Sequence, residues 1–265
     1  MTIETHIDSA LTSVEREQTH FDAERKAYER FQSEIASLSP QPATAPSTSL
    51  SPDGGTLSTG MPRNGAVTTH ADRARELFIE TVRPHSVSDV DTEEPLIETI
   101  REELGDSLAF VLAPGTDADL TPQVQSAICS KAQQRLRELT TMSSALDREA
   151  ESLQAAARDC QTVTEWVETH NQTSLLEFGF PELQRRHERL SAHRERCGER
   201  LRARQEAIHS TTSRGAKTGL EHRSVVTFLY QEFPVSYPVL STVTRLDALL
   251  ANCQRTVRDH LTRRV

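Results

Sequence analysis

Aromatic side chains are scarce in this chain, at 5% of its 265 residues, and hydrophobic residues together make up 35% against 26% charged. A thick multilayer core needs more apolar volume than that, whereas helices that each bury one narrow seam need less. No apolar run approaches the ~18 residues that a membrane-spanning helix requires. Catalytic nucleophile signatures, phosphate-binding glycine loops and zinc-protease helices are absent as well. The four cysteines, Cys129, Cys160, Cys197 and Cys253, show no CxxC spacing and no neighbouring histidine pattern. That excludes the usual zinc and thioredoxin-type motifs and predicts reduced, buried thiols. Lysine supplies 3 of the 30 basic residues, so the positive charge sits on arginine, whose planar fork stays charged at any physiological pH. Neither strand-like alternation nor a repeat of 20 to 50 residues is present.

What is there is heptad spacing. Between Thr121 and Ser174, apolar or small residues recur every seven positions as Ala132, Leu139, Leu146, Leu153, Cys160 and Val167, with Met142, Ala156 and Val163 three residues after three of them. A second seam follows, with Leu183, Leu190 and Cys197 on one row, Leu201 and Ile208 on the other, and polar interruptions at His187, Arg194 and Arg204. Such spacing keeps one face of a helix against a partner. Between the seams, Gly179 is suited to a left-handed helix cap and Pro181 to the first turn of a new helix. The pattern predicts an antiparallel coiled-coil hairpin over residues 121–213.

Arm lengths then constrain the packing. An outgoing helix of about 54 residues would be about 80 Å long and a return helix of about 31 residues about 46 Å, at 1.5 Å per residue. With Leu175 opposite Leu183 at the turn, Val167 pairs near Leu190, Cys160 near Cys197 and Leu146 near Thr211, which leaves Val124 to Met142 in need of other partners. A bare two-helix stalk is predicted at the far end. Its apolar turn, with Leu175, Phe178 and Phe180, is the candidate interaction site.

The remaining segments read as helices and a tether. In residues 1–38, Ile7, Val14, Phe21, Tyr28 and Ile35 fall on one heptad row and Ile3, Ala10, Glu17, Glu24, Phe31 and Leu38 on a companion row. Glu17 and Glu24 weaken that seam: such residues either set register or mark a partly exposed face, and the exposed face is the expected one here. Residues 39–67, rich in Pro, Ser, Thr and Gly, predict a disordered linker. Short helices are expected within 68–120: one with Ala71, Ala74, Phe78 and Val82 on a face and Pro84 as its stop, one starting from an Asp91/Glu94 capping box and ending at Gly105, and a turn or two from Asp106. Thr121-Pro122 reads as an N-cap followed by proline at the first helical position. After a connector at 212–218, residues 214–265 predict a helix pair on the hairpin base. The last helix carries Val243, Leu246, Leu250, Cys253 and Val257 in register, and Phe228, Tyr230, Phe233 and Tyr237 form a small aromatic core at the turn before it.

Charge is uneven. Residues 1–120 hold 9 Lys and Arg against 22 Asp and Glu, and residues 121–265 hold 21 against 17. The helix 183–214 carries nine arginines against four glutamates and could lie along a nucleic-acid backbone, but a solvated coiled-coil face is the commoner origin of such a run, and no aromatic residue is interleaved to stack on bases. Two Glu-x-x-His pairs, Glu17 with His20 and Glu206 with His209, match the spacing of di-iron helical bundles. With Glu and His both abundant, such spacings also arise without any metal.

The tracts Phe228-Leu229-Tyr230-Gln231-Glu232-Phe233-Pro234-Val235, Tyr237-Pro238-Val239-Leu240 and Cys253-Gln254-Arg255 through His260-Leu261, with Arg75-Glu76-Leu77-Phe78 and Glu94-Pro95-Leu96-Ile97-Glu98, resemble an uncharacterised family of haloarchaeal proteins. The resemblance covers most of the chain outside the tether. It implies a cytoplasm at high salt and a shared helical architecture, and no catalytic activity. A net charge of -9 is milder than such cytoplasms usually go with.

The sequence therefore predicts an all-α, elongated protein: a long antiparallel coiled-coil hairpin with additional helices packed at its base. The expected function is non-catalytic, a cytoplasmic interaction or scaffold protein without a cofactor, acting on a protein partner or on itself through coiled-coil contacts. A DNA-associated regulatory factor using helix 183–214 is the alternative, and a di-iron-type bundle enzyme the weaker one.

Overall fold

The computed structural model describes residues 5–40, 70–86, 95–114, 116, 119–209 and 222–264. All regular structure among them is helical. The helices are α1 (Ile7–Ser37), α2 (His70–Thr81), α3 (Arg83–Ser86), α4 (Leu96–Leu104), α5 (Asp106–Val111), α6 (Pro122–His170), α7 (Phe180–His209), α8 (His222–Leu229) and α9 (Pro238–Thr262), with a 3-10 turn at Leu175–Glu177. The predicted linker beyond Pro40, the Asp91/Glu94 capping box and the connector at 212–218 lie outside the described residues. The chain forms two compact units: unit 1 is residues 1–19 with 141–265, and unit 2 is residues 20–140. Helices α1 and α6 each contribute to both.

In unit 2 the residues predicted to lack a hairpin partner find one in α1 and the short helices. Tyr28, Phe31 and Ile35 join Leu77, Phe78, Val82, Ile100, Leu104 and Leu112 in one core with Ile128, Ala132 and Leu139 of α6, and Phe31 meets Phe78 edge to face at 5.9 Å. Helix ends are closed by side chains from other elements. The Gln125 amide donates to the Ile35 and Leu38 carbonyls (2.8 and 2.7 Å) at the end of α1, and Arg75 donates to the Leu112 and Ala113 carbonyls (2.6 and 3.0 Å) after α5. Each bond satisfies a carbonyl that the helix leaves open. Thr121 caps α6 through its hydroxyl, which accepts from the Val124 amide at 3.3 Å. Helix α2 ends at Thr81, just before Pro84 as expected, and a separate turn then begins. Pro84 lies in that single turn, α3, because proline is tolerated in the first turn of a helix, where its missing N–H has no intrahelical partner.

Glu24 corrects an expectation. It is 2% exposed rather than on a solvated face, because Arg135 of α6 donates to it at 2.8 Å. Glu17, by contrast, is half-buried.

In unit 1 the hairpin is antiparallel, with Asp159 of α6 receiving Arg200 Nε of α7 at 2.7 Å. Cys160 and Cys197 line one small cavity of about 40 Å³ beside that pair. The turn differs from its prediction. Helix α6 stops at His170 and α7 begins at Phe180. Gly105 is the described glycine with positive φ, at 92°, so Gly179 supplies no left-handed cap. The reversal is spread over nine residues with their own 3-10 turn, so no single residue has to turn the chain.

Helix α9 runs along α7 and its end reaches the 3-10 turn. Its row of Val243, Leu246, Leu250 and Val257 is buried, and such a row needs a partner along its whole length. The bare two-helix stalk is thus replaced by a third helix along the hairpin. Tyr230 and Phe233 do meet edge to face at 5.2 Å, but Phe228 is 45% exposed and takes no part in an aromatic core.

Candidate functional site

The hairpin turn in unit 1 gathers the features that a binding surface requires. After α6 ends at His170, the Ser174 hydroxyl accepts from the Leu176 amide at 3.3 Å and sets the 3-10 turn. Phe178 is extended, and α7 begins two residues later. Arg186 reaches back from α7 and donates to the His170 carbonyl at 2.9 Å, closing the end of α6. The same guanidinium stacks 3.9 Å above the Phe178 ring. From beyond α9, Arg264 donates to the Leu176 carbonyl at 2.6 Å. Two arginines from different elements therefore hold the turn.

This bracing sorts the predicted interaction residues. Leu175 is half-buried and faces a groove, Phe178 is half-buried under Arg186, and Phe180 is 44% exposed. Leu176, which the sequence reading passed over, is 72% exposed. Neighbouring positions of a 3-10 turn point about 120° apart, so of Leu175-Leu176 one faces inward and the other outward. The paired leucines were the available signal.

Beside the turn lies the groove, about 160 Å³, with apolar Val167, Leu175, Leu190 and Val257 and the more polar Trp166, His170, Asn171, Thr173, Arg186, Cys253 and Thr256 along it. Trp166 and His170 are stacked at 4.4 Å, and the His193 ring lies 5.0 Å from the Trp166 ring, tilted to it by 48°. His193 is 2% exposed with no partner for either ring nitrogen. Burial holds its pKa below the ordinary value, and the charges of Arg189, Arg196 and His170 add to that.

Among the predicted seam residues, Leu139, Leu146, Leu153, Cys160, Leu183, Leu190, Cys197 and Ile208 are buried, while Val167 and Leu201 are half-buried. The next position on the row Leu183, Leu190, Cys197 is Arg204, 2% exposed. It donates to both carboxylate oxygens of Glu149 (2.8 and 2.6 Å) and to the Ser152 hydroxyl (3.0 Å). The Tyr230 hydroxyl also donates to Glu149, at 2.6 Å. Glu149 fills the gap in the row Met142, Ala156, Val163, so two seam interruptions meet as one buried pair. The signal in the sequence is a charged residue of opposite sign on each of two facing seams, Glu149 and Arg204.

The thiols of Cys160 and Cys197 are both pushed up to about 11, first by burial, which leaves them protonated and poor nucleophiles. Cys129 and Cys253 are half-buried rather than buried. Burial raises their pKa values too. The Glu-x-x-His pairs do not build an inward-facing ligand set: Glu206, His209 and His20 are exposed. Among the described residues no three His, Cys, Asp or Glu side chains come together in a way that could hold a metal ion.

A family model, the domain of unknown function DUF7260, matches residues 5–254. The chain belongs to that family. No curated protein and no solved structure matches it. The segment matched to DUF7260 takes in Trp166, Arg186, Leu176 and Phe180, while Thr256, Val257 and Arg264 lie beyond it.

Proposed function

We propose that this chain is a non-catalytic interaction protein that presents its hairpin turn to a protein partner. The observation that carries the reading is Leu176, 72% exposed beside Phe180 at 44%, on a turn held by Arg186 and Arg264. Large apolar side chains displayed on a fixed backbone lose little freedom on binding, so more of their burial is realised as affinity. From the haloarchaeal resemblance the reading takes a cytoplasm at high salt. There exposed ion pairs are screened, and an apolar contact remains the effective kind.

The alternative of a DNA-associated factor draws less support. Of the arginines on α7, Arg185 pairs with Glu182, Arg194 with Asp247, Arg200 with Asp159 and Arg204 with Glu149, and Arg186 is engaged at the turn. Few are left to meet phosphates.

The test is the double variant Leu176→Ser, Phe180→Ser. Neither side chain is part of the core, so its circular dichroism and melting should match the parent. It should lose the proteins that co-purify with the parent chain from native high-salt lysate. If light scattering finds a dimer that the variant converts to a monomer, the partner is a second copy. Retention of every partner and of the parent's oligomeric state would contradict the reading.

A further inference from the structure

We infer that the groove beside the turn is a binding site for a small aromatic carboxylate, independently of any protein bound by the turn itself. Its size is the first reason. About 160 Å³ is close to the ~150 Å³ cavity that accommodates benzene. The second is its wall: the Trp166 indole is fixed by stacking on His170, and Val167, Leu190 and Val257 line the groove with it. A planar ring has both an aromatic face to stack on and aliphatic side chains to pack against.

Charge decides the rest of the ligand. Among the described residues no carboxylate lines the groove, but Arg186 does. Its side chain is 10% exposed, and its Nε has no hydrogen-bond partner. The nearest anionic atom recorded for that nitrogen, Glu182 Oε1, is 4.0 Å away, too far for a hydrogen bond. A buried guanidinium donor left unpaired is costly, and carboxylate is the group that its fork best matches. His170 adds a second polar edge. Its Nδ1 donates to the Trp166 carbonyl, 2.8 Å away, since a carbonyl can only accept, and the ring so held lines the groove. A neutral ring would leave the Arg186 Nε unpaired, and a cation would be repelled by it. An inorganic anion would leave the apolar wall empty.

Trp166 is the one tryptophan in the chain, so its emission reads the groove directly. The full chain is titrated with phenylacetate, with 2-phenylethanol as the neutral isostere and 2-phenylethylamine as the cationic one, and binding is confirmed by calorimetry. Phenylacetate should give a saturable change, with the alcohol at least ~10-fold weaker, the factor expected for one hydrogen bond to a charged group. The amine should not bind. Arg186→Gln should lose at least ~10-fold for phenylacetate on the same ground, while Arg185→Gln, on the neighbouring exposed position, should bind as the parent does. Because Arg186 also closes α6, Thr256→Phe, at an exposed position that lines the groove, gives a second arm. It fills the groove, leaves the guanidinium in place, and should abolish binding in a chain that melts normally. The Leu176→Ser, Phe180→Ser variant should bind phenylacetate unchanged, which separates this site from the turn surface. No saturable change up to about 20 mM, far weaker than any useful affinity, equal binding of acid and alcohol, or full affinity in a folded Thr256→Phe would each overturn the assignment.

Discussion

The two units solve one problem differently. In each, α6 carries a charged residue on the row Arg135, Met142, Glu149, Ala156, Val163, where an apolar one would be expected, and in each a facing helix supplies the opposite charge. In unit 1 α6 provides the anion, Glu149, and the pair with Arg204 is sealed, its side chains 0% and 1% exposed, with the Tyr230 hydroxyl as a further donor. In unit 2 α6 provides the cation, Arg135, and the pair with Glu24 is lopsided: the Glu24 side chain is 3% exposed but that of Arg135 36%. A tyrosine attends this pair as well, but Tyr28 donates to Glu103 instead of to the paired carboxylate. Burial raises the pKa of both tyrosines, and the neighbouring carboxylates add to it, so both remain hydroxyl donors. An interruption in a helical seam is therefore not a weak point when its partner interrupts the facing seam. It marks where two helices must be brought into register.

Removing one member of the sealed pair should have the largest effect. Arg204→Leu leaves the Glu149 carboxylate buried without its countercharge, and a loss of about 3–5 kcal/mol is expected, read as urea unfolding followed by the emission of Trp166, which lies in unit 1. Gly105→Ala should come next. With φ at 92° and ψ at 162° between α4 and α5, this position suits glycine alone, and a side chain there should cost about 1–3 kcal/mol in unit 2, read by circular dichroism. Glu24→Gln should cost about 1 kcal/mol, because Gln keeps an acceptor for Arg135 and the change loses only the difference between a hydrogen bond to a charged group and one to a neutral group. A larger effect from Glu24→Gln than from Arg204→Leu would reverse the comparison.

The smallest effect is a pH dependence confined to unit 1. His193 binds its proton less readily in the folded protein than in the unfolded chain, whose ordinary value is 6.5. The unfolded state therefore takes up protons first as the pH falls. Stability should be complete above about pH 6.5 and decline below it, through the interval down to the depressed folded value. His193→Leu should flatten that decline in a series of unfolding curves.

Much of the fold was legible because period and stop signals act locally. The heptad rows of α6 and α7, the Thr121-Pro122 start and the antiparallel return are all set by residues close in sequence. Reading failed where a distant side chain decided the outcome. Glu24 is expected at a surface until Arg135, 111 positions away, is brought to it. The hairpin looks bare until α9 is laid along α7. At the candidate site the apolar character of the turn was readable from Leu175 to Phe180, but its division into inward Leu175, stacked Phe178 and outward Leu176 depends on Arg186 and Arg264, and no spacing rule links either of them to the turn. His193 lies three residues after Leu190 and four before Cys197, on their helical face, but a polar ring among arginines reads as part of a solvated charge run until the fold buries it.

The pairing of Glu149 with Arg204 is the point on which the register of the hairpin, and with it the placing of the turn and groove, depends. A double-mutant cycle with Glu149→Leu, Arg204→Leu and the two together, measured by urea unfolding on Trp166 emission, tests it most directly. A coupling of about 2 kcal/mol or more is expected, with the double variant recovering much of what either single change loses. Additive losses, with a coupling under about 0.5 kcal/mol, would contradict the pairing.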